Sequence, residues 1–272
     1  MKKKYKRVAA LIGVVIILAA FCLPMVFAGS SSENSKNLFL AAIGVAFMVP
    51  VFLYLFLMVC KVFGNKKKTP EGAIKNIIFD VGNVLVKYDW QGYLKGFGFP
   101  KEKYDKIAQA TFCNESWNER DKGLLTEEEY EAMFIANAPE YEEEIREVMR
   151  RSPECIDQQP YAETWVKYLK EQGYGTYILS NYSTYMLERN RPDMKFLKYI
   201  DGEVFSCNVG DIKPNAGIYQ LILKRFSLDP SECVFLDDRK ENCEAARKLG
   251  IKAIVFKDFK QAAAELEKMG VK

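Results

Sequence analysis

The stretch "IIFDVGNVLV", residues 77–86, places two isoleucines and a phenylalanine directly before an acidic residue, Asp80. Short, continuous apolar runs of this kind are typical of strands that are buried on both faces of a sheet. Gly82 interrupts the run two positions later. The stretch therefore predicts a buried strand that ends by presenting a single carboxylate at the edge of a sheet.

Similar apolar runs recur after residue 72, with helical patterns between most of them. They lie at residues 75–79, 175–179, 203–206, 233–236 and 252–256. Alternation of strands and helices indicates a parallel sheet that is covered by helices, because the connection between two parallel strands must be long and is usually a helix. We predict an α/β fold with a doubly wound parallel sheet.

The segment between the first two runs contains amphipathic helical patterns and no clear strand. Helices are predicted at residues 101–112, 126–136 and 140–151. An insertion of this length exceeds a crossover loop and indicates a unit with its own packing. We predict a helical cap at residues 88–160, inserted into a core of residues 73–87 and 161–272.

The amino-acid composition excludes several kinds of chemistry. No histidine is present in the 272 residues, so His-based acid–base catalysis and His-ligated metal sites are excluded. The seven cysteines are scattered without a C-x-x-C pair, which indicates a reducing compartment and neither a disulfide framework nor a zinc site. The net charge of +3 is small and basic residues cluster near the N-terminus, so we expect no nucleic-acid partner.

Two long uncharged segments precede the predicted domain. Residues 8–28 and 38–60 contain no charged side chain, and each can cross a hydrocarbon core of ~30 Å as a helix. Basic residues precede the first segment and follow the second, which places both flanks in the cytoplasm. We predict a cell-membrane protein with two spans in a hairpin over residues 1–63, a linker at 64–72 and a cytoplasmic catalytic domain. The alternative for the first segment is a signal peptide cleaved before Gly29.

Polar residues follow the predicted strands where a parallel sheet collects its ligands, at the carboxyl ends of the strands. The residues expected there are Asp80, Ser180, Asn181, Lys213, Asp237 and Asp238. Clustered carboxylates repel one another unless a cation joins them, and oxygen ligands without His or thiolate suit Mg²⁺. A lysine and a hydroxyl beside such a site suit a phosphoryl group.

Four motifs in this order resemble those of the haloacid dehalogenase-like (HAD) phosphatase superfamily. They are "FDVGNVLV", "LSNYS", "DIKPNAGIY" and "VFLDDRKENCEAARKLG". The resemblance covers residues 75–257, and the insertion is similar to the helical cap of that family. The first two motifs are most similar to the sugar-1-phosphate phosphatase-like branch. The resemblance implies a Mg²⁺-dependent phosphatase acting on a small phosphorylated metabolite, similar to a sugar phosphate.

The resemblance also implies roles for individual residues. Asp80 would be the nucleophile that accepts the phosphoryl group as an aspartyl-phosphate. Ser180 and Asn181 would bind phosphate oxygens, and Lys213 would neutralise the nucleophile and the transferring group. The metal ligands would be Asp80, the backbone carbonyl of Gly82, and Asp238. Asp237 would support this site, and Asn242 would hold Asp238 or Lys213 through hydrogen bonds.

The chain departs from the family pattern at Gly82. Many family phosphatases carry a second Asp at this position, which protonates the leaving oxygen and then activates water. The acids that could replace it in or near the cap are Asp89, Glu119 and Asp121, although each is also typical of a surface or capping residue. Trp117 is expected in the packing of the cap, because large aromatic residues are usually buried. The alternative is that Trp117, Arg120 and Asp121 face the active site and select the substrate.

Two rival functions remain open on the sequence alone. 2-Haloacid dehalogenases of the same superfamily also lack the second Asp, but they need no metal, and the pair Asp237 and Asp238 would be an electrostatic liability without a cation. A catalytically weak, membrane-tethered binding or scaffold module would also keep the fold. The joint presence of four site residues favours the enzyme over the scaffold: Asp80, Ser180, Lys213 and Asp238.

Overall fold

The computed structural model describes residues 73–272, together with Val51 and Tyr54. Apart from those two residues, the predicted spans 8–28 and 38–60 and the linker 64–72 lie outside the described residues. Within the described part of the chain, no helix is long and apolar enough to cross a membrane.

The strands form one five-stranded sheet and one two-stranded ribbon. Their bounds are β1 (Asn76–Phe79), β2 (Val86–Tyr88), β3 (Ile156–Gln158), β4 (Gly175–Ser180), β5 (Gly202–Phe205), β6 (Cys233–Asp237) and β7 (Lys252–Val255). The large sheet has the order β5-β4-β1-β6-β7, and all of its pairs are parallel. The predicted parallel sheet is confirmed, with every predicted strand end within one residue of the observed one.

The helices of the described part of the chain divide into two groups. Those between β2 and β3 are α1 (Trp90–Lys95), α2 (Lys101–Ala110), α3 (Glu115–Lys122), α4 (Glu127–Asn137) and α5 (Glu142–Arg150). Those after β3 are α6 (Ala162–Glu171), α7 (Thr184–Asn190), α8 (Ala216–Arg225), α9 (Lys240–Lys248) and α10 (Phe259–Lys268). The three helices predicted in the insertion correspond to α2, α4 and α5.

Helices cover both faces of the large sheet. Along β1, Ile77 and Phe79 pack in a buried apolar cluster with α6 and α10, whereas Ile78 packs in another cluster with α8 and α9. This alternation follows from the pleat, which points successive side chains to opposite faces. Because both faces are buried, β1 is apolar after its first residue, Asn76, as parallel central strands usually are.

The helices of the insertion have an apolar core of their own. Leu94 of α1, Ile107 of α2, Phe134 of α4 and Val148 of α5 are completely buried in one cluster. This cluster is separate from the two that cover the sheet. We call α1–α5 the cap.

An antiparallel ribbon of β2 and β3 joins the cap to the sheet, with Tyr88 opposite Ile156. The sequence pattern predicts no strand in the insertion, so this ribbon is a difference from expectation. Each of its strands has three residues, which is too short to display the alternation by which strands are recognised.

A close backbone contact holds helix α3 against the turn that follows β5. Gly123 caps the C-terminus of α3 with a left-handed φ of 64°. A Cβ at this position would lie 2.6 Å from the carbonyl oxygen of Cys207 and 2.8 Å from its Cα. The hydroxyl of Ser206 also donates a hydrogen bond of 2.5 Å to the carbonyl oxygen of Asp121. Because Ser206 directly follows β5, α3 is held at the carboxyl edge of the sheet.

Because of this contact, we expect alanine substitutions at two glycines with similar φ values to lower the free energy of unfolding by different amounts. A methyl group added at Gly98, where φ is 68°, would have no atom within 4 Å, whereas one added at Gly123 would meet backbone atoms. We expect Gly98→Ala to lower the free energy of unfolding by about 1 kcal/mol, the cost of the left-handed conformation alone. Gly123→Ala should lower the free energy of unfolding by at least about 2–3 kcal/mol, because its methyl group would also overpack against neighbouring backbone atoms. Denaturant unfolding of the full chain measures both, and equal losses would contradict the close contact.

Candidate active site

Asp80 is the first residue after β1 and lies at the carboxyl edge of the sheet. The residue is only 7% exposed. The backbone N–H of Val81 donates a hydrogen bond to Asp80 Oδ1 at 2.7 Å, and Lys213 Nζ lies 2.8 Å from the same oxygen. Both contacts use Oδ1, so within the described part of the chain Oδ2 is the oxygen that remains for other ligands.

Lys213 lies buried between two carboxylates. Its Nζ is 2.8 Å from Asp80 Oδ1 and donates to Asp237 Oδ2 at 2.6 Å. Burial opposes the ammonium charge, but the two carboxylates outweigh it and raise the pKa of Lys213. Asn181 fixes the backbone of this lysine, because its Oδ1 accepts from the Lys213 N–H at 2.8 Å and its Nδ2 donates to the Lys213 carbonyl at 3.0 Å. Asn181 thus positions Lys213, and because Asn181 also lines the cavity at the sheet edge, its contact with phosphate stays a prediction.

Asp237 is the last residue of β6, and donors surround its carboxylate. Besides Lys213, it accepts hydrogen bonds from the Arg239 N–H at 2.8 Å and from Asn242 Nδ2 at 3.0 Å to each oxygen. Asn242 therefore holds Asp237, and not the neighbouring carboxylate or the lysine as predicted. The reason is that the first turn of α9 follows β6 closely and brings the amide back over the end of that strand.

Asn83 belongs to the site although sequence reasoning missed it. Its Nδ2 donates a hydrogen bond to Asp238 Oδ2 at 2.9 Å, and its Oδ1 accepts from the Tyr88 N–H at 3.0 Å. The backbone φ of Asn83 is 55°. Asn is among the few residues that adopt this left-handed conformation readily. An Asn directly after the glycine of the first motif was therefore the available signal.

Three carboxylates meet at this edge of the sheet. One oxygen each of Asp80, Asp237 and Asp238 lie within 4.8 Å of one another. Burial raises the pKa of Asp80 to about 7, against the lowering by Lys213, and Asp237 adds to the rise. A set of oxygen ligands whose charges repel one another fits a hard divalent cation such as Mg²⁺. Since Asp237 already holds the lysine, Asp80 and Asp238 are the carboxylates that fit the ion.

Gly82 and Ser180 take different positions relative to the cavity at the sheet edge. Gly82 lines this cavity, and a Cβ added there would meet no atom within 4 Å. Ser180 ends β4 and is completely buried, with its hydroxyl 3.5 Å from the Asn181 carbonyl. Its side chain is not on the described cavity wall.

The cavity, of about 390 Å³, lies between the cap and the sheet edge. Its floor contains Asp80, Lys213 and Asp238. Four aromatic residues from the ribbon and the cap line the opposite side, and we call them the aromatic wall: Tyr88, Trp90, Phe112 and Trp117. Adjacent rings in this wall are 5.2 Å apart for Trp90 and Phe112, 4.8 Å for Phe112 and Trp117, and 6.2 Å for Trp117 and Tyr88.

Asp121 of α3 brings a fourth carboxyl group to the cavity wall. The residue is 9% exposed, and its side chain accepts no hydrogen bond from the described residues. Burial raises the pKa of Asp121 to about 7, against the lowering by Arg120, and Asp80 adds to the rise. Burial thus favours the protonated form of this carboxyl group.

The other acids considered for the position of Gly82 are engaged elsewhere. Asp89 caps α1, where its Oδ1 accepts from the Gly92 N–H at 2.8 Å. Glu119 pairs with Lys122 at 2.6 Å. Neither lines the described cavity.

The sequence left two interpretations open for this segment, packing in the cap or facing the active site. The structure places Trp117 and Arg120 differently. Trp117 packs against the cap core and also lines the cavity. Arg120 is buried away from the cavity, where it pairs with Glu127 and approaches the hydroxyl of Ser152. Arg120 therefore stabilises the cap, and the interpretation that it faces the active site is wrong.

The fold and the site define a capped, doubly wound α/β enzyme with a carboxylate cluster at the sheet edge. Residues 74–250 match the family described as haloacid dehalogenase-like hydrolase. The chain belongs to this family and is a hydrolase.

Relatives with known names extend the comparison. Flavin mononucleotide hydrolase 1 of Arabidopsis thaliana is 25% identical over 213 residues, which cover 76% of this chain and 80% of that protein. A sesquiterpene phosphatase of Aspergillus oryzae is 24% identical over 202 residues, covering 72% of this chain and 97% of that protein. The solved structure of a HAD family enzyme of Bacteroides thetaiotaomicron, in complex with magnesium and inorganic phosphate, is similar with a TM-score of 0.56. It is 22% identical and covers 70% of this chain and 98% of that one, so this likeness concerns the fold.

Proposed function

We propose that the protein is a Mg²⁺-dependent phosphatase that hydrolyses a phosphate monoester through an aspartyl-phosphate on Asp80. The observation that carries this proposal is the buried lysine between Asp80 and Asp237, beside the metal-compatible carboxylate of Asp238. Two relatives reported above are named as hydrolases of phosphate compounds. Their names favour the same reaction class for this chain.

The reaction uses residues already in contact with one another. Asp80 attacks phosphorus, so that an oxygen–phosphorus bond forms while the bond to the leaving alcohol breaks. Water then attacks phosphorus, breaks the bond to Asp80 and releases phosphate. The Lys213 ammonium, 2.8 Å from Asp80 Oδ1, stabilises the negative charge of the phosphoryl oxygens in both steps. Asn181 keeps this ammonium in place through the lysine backbone. Ser180 stays a predicted phosphate contact.

The residues that would hold Mg²⁺ are Asp80, Asp238 and the backbone carbonyl of Gly82. The ion, when bound, supplies positive charge to the phosphoryl oxygens and offsets the repulsion among the carboxylates. Asn83 keeps the Asp238 carboxylate turned toward the site through its hydrogen bond of 2.9 Å.

The rival functions fit the site less well. A dehalogenase has no use for a cluster of three carboxylates around one lysine, and the cluster costs free energy if no cation joins it. A scaffold module has no reason to keep Lys213 buried between two carboxylates, because replacing a buried ion pair by apolar residues is often neutral or stabilising. We therefore favour the enzyme over both.

The aromatic wall favours a substrate with an apolar or ring-shaped body. Flat rings stack on aromatic side chains. Sugars and polyols are usually bound by many hydrogen-bonding groups, of which the same lining offers Gln91, Asn118 and Ser183. In the described cavity, Lys213 and Arg239 are the only cationic residues of the lining, which suits a single phosphate group. A sugar phosphate, implied by the branch resemblance, is the second candidate.

We also propose that residues 1–63 anchor the enzyme in the cell membrane as a two-span hairpin, with the catalytic domain in the cytoplasm. The uncharged segments 8–28 and 38–60 and their basic flanks support this proposal. The membrane would then be a permanent partner of the enzyme. The expected substrate would be a cytoplasmic or membrane-associated phosphate ester.

The phosphatase proposal predicts a joint dependence on Asp80 and on a divalent cation. The full chain in detergent should release phosphate from a panel of monoesters with Mg²⁺ and lose this activity in chelator. Asp80→Asn should lower kcat at least about 10³-fold, because it removes the nucleophile. Asp105→Asn, on the exposed face of the cap, is the matched control and should keep wild-type kcat. A folded wild type that releases no phosphate would favour the scaffold, and chloride release from a 2-haloacid without metal would establish the dehalogenase.

The aromatic wall predicts an effect on KM that depends on the substrate. Trp90→Leu removes one stacking surface, worth about 1 kcal/mol, so we expect KM for a ring-bearing ester such as benzyl phosphate to rise about 5-fold. The kcat for this ester and the KM for a sugar phosphate should change little. Steady-state kinetics on both esters measure the difference. Equal changes in KM for both esters would contradict stacking on the wall.

The anchoring proposal predicts that the protein resists alkaline extraction of membranes and is released by detergent. Protease added to the cytoplasmic face of inverted vesicles should remove the domain of residues 73–272. Release by alkaline carbonate, or protection of the domain in inverted vesicles, would contradict the proposed topology.

A further inference from the structure

We propose that Asp121, carried by the cap, is the acid–base residue that replaces the acid missing at Gly82. This inference rests on the proposed phosphatase function and goes beyond it, because it assigns the proton transfers to a residue outside the sheet. Two observations carry it, the position of α3 and the surroundings of the carboxyl group, and the open space at Gly82 supplies a test.

Helix α3 is placed to deliver a side chain to the sheet edge. Gly123 and the hydroxyl of Ser206 hold the C-terminal end of α3 against the turn after β5. Asp121 lies in this last turn, and the residue lines the same cavity as Asp80. The hydrogen bond from Ser206 engages the backbone of Asp121 and leaves its side chain to the cavity.

The surroundings of Asp121 keep its proton available. Burial disfavours the carboxylate form, and so does the C-terminal end of α3, where a negative charge opposes the helix dipole. The charged groups that act on it are Arg120, Asp80, Lys213 and Arg239. The resulting pKa of about 7 suits a group that must give a proton in one step and take one in the next.

The two steps balance with Asp121 as the only added proton carrier. In the first step, protonated Asp121 gives its proton to the ester oxygen while the bond from that oxygen to phosphorus breaks and Asp80 bonds to phosphorus. In the second step, the Asp121 carboxylate takes a proton from water while the water oxygen bonds to phosphorus and Asp80 is released. The products are the alcohol and phosphate, and Asp121 is protonated again.

The open space at Gly82 supplies a test of this role. No atom lies within 4 Å of a Cβ added at Gly82, so the Cβ of Gly82→Asp would enter open space. An Asp at this position would present a carboxyl group to the same cavity. It could therefore replace the function of Asp121.

The test compares single-turnover release of the leaving group from two ring-bearing esters. 4-Nitrophenyl phosphate has a leaving group that needs little protonation, whereas benzyl phosphate has a strongly basic one. In Asp121→Asn, we expect the release rate to fall about 10²- to 10⁴-fold for benzyl phosphate and less than about 10-fold for 4-nitrophenyl phosphate. Adding Gly82→Asp should restore part of the lost rate for benzyl phosphate. Glu119→Gln, at a half-buried acid on the same helix that pairs with Lys122 and does not line the cavity, should leave both rates unchanged.

Each outcome separates the inference from the function on which it rests. Equal losses on both esters without rescue by Gly82→Asp, or no loss on either ester, would overturn the role of Asp121 while wild-type turnover upholds the phosphatase. A wild type that releases neither leaving group would overturn the phosphatase itself. Asp121→Asn should melt no lower than the wild type, because the substitution removes a disfavoured buried charge. Asp121→Ala must show the same dependence on the leaving group, which keeps the test independent of one variant.

Discussion

The buried ammonium of Lys213 is the interaction on which the site depends. It lies 2.8 Å from Asp80 and 2.6 Å from Asp237, where an unpaired carboxylate would be costly. Asn181 and Asn242 hold the lysine backbone and the second carboxylate, so that neither partner is free to move away. The lysine therefore makes it possible for the central strand of the sheet to end in an acid that is nearly buried and still reactive.

The cap completes a site that the sheet alone leaves half built. The sheet edge supplies charge, since three carboxylates and one ammonium meet there. The cap and the ribbon supply the aromatic wall and Asp121. The close backbone contact at Gly123 fixes the position of α3 relative to the sheet edge. In the proposed phosphatase, the phosphate chemistry and the selection of the ester body thus belong to different parts of the fold.

Much of the fold could be predicted because its signals are local. The runs that became β1, β4, β5, β6 and β7 are short, apolar and separated by helical patterns, which is what burial between two helical layers requires. The ribbon of β2 and β3 was missed because three residues carry no periodicity. Asn83 was missed because its role depends on a left-handed backbone conformation that brings its amide to Asp238, and the sequence shows only an Asn after a glycine.

The sequence by itself determined which chemical groups the sheet edge holds. Strand ends collect at one edge of any parallel sheet, so the positions of Asp80, Lys213, Asp237 and Asp238 along the chain were enough to bring them together. Only the tertiary structure decided which partner each group takes and which acid the cap contributes. Asn242 donates a hydrogen bond to Asp237, and Arg120 forms its ion pair inside the cap. Of the three candidate acids, Asp121 alone lines the described cavity. These choices depend on how helices pack across long stretches of chain, and no local pattern records such packing.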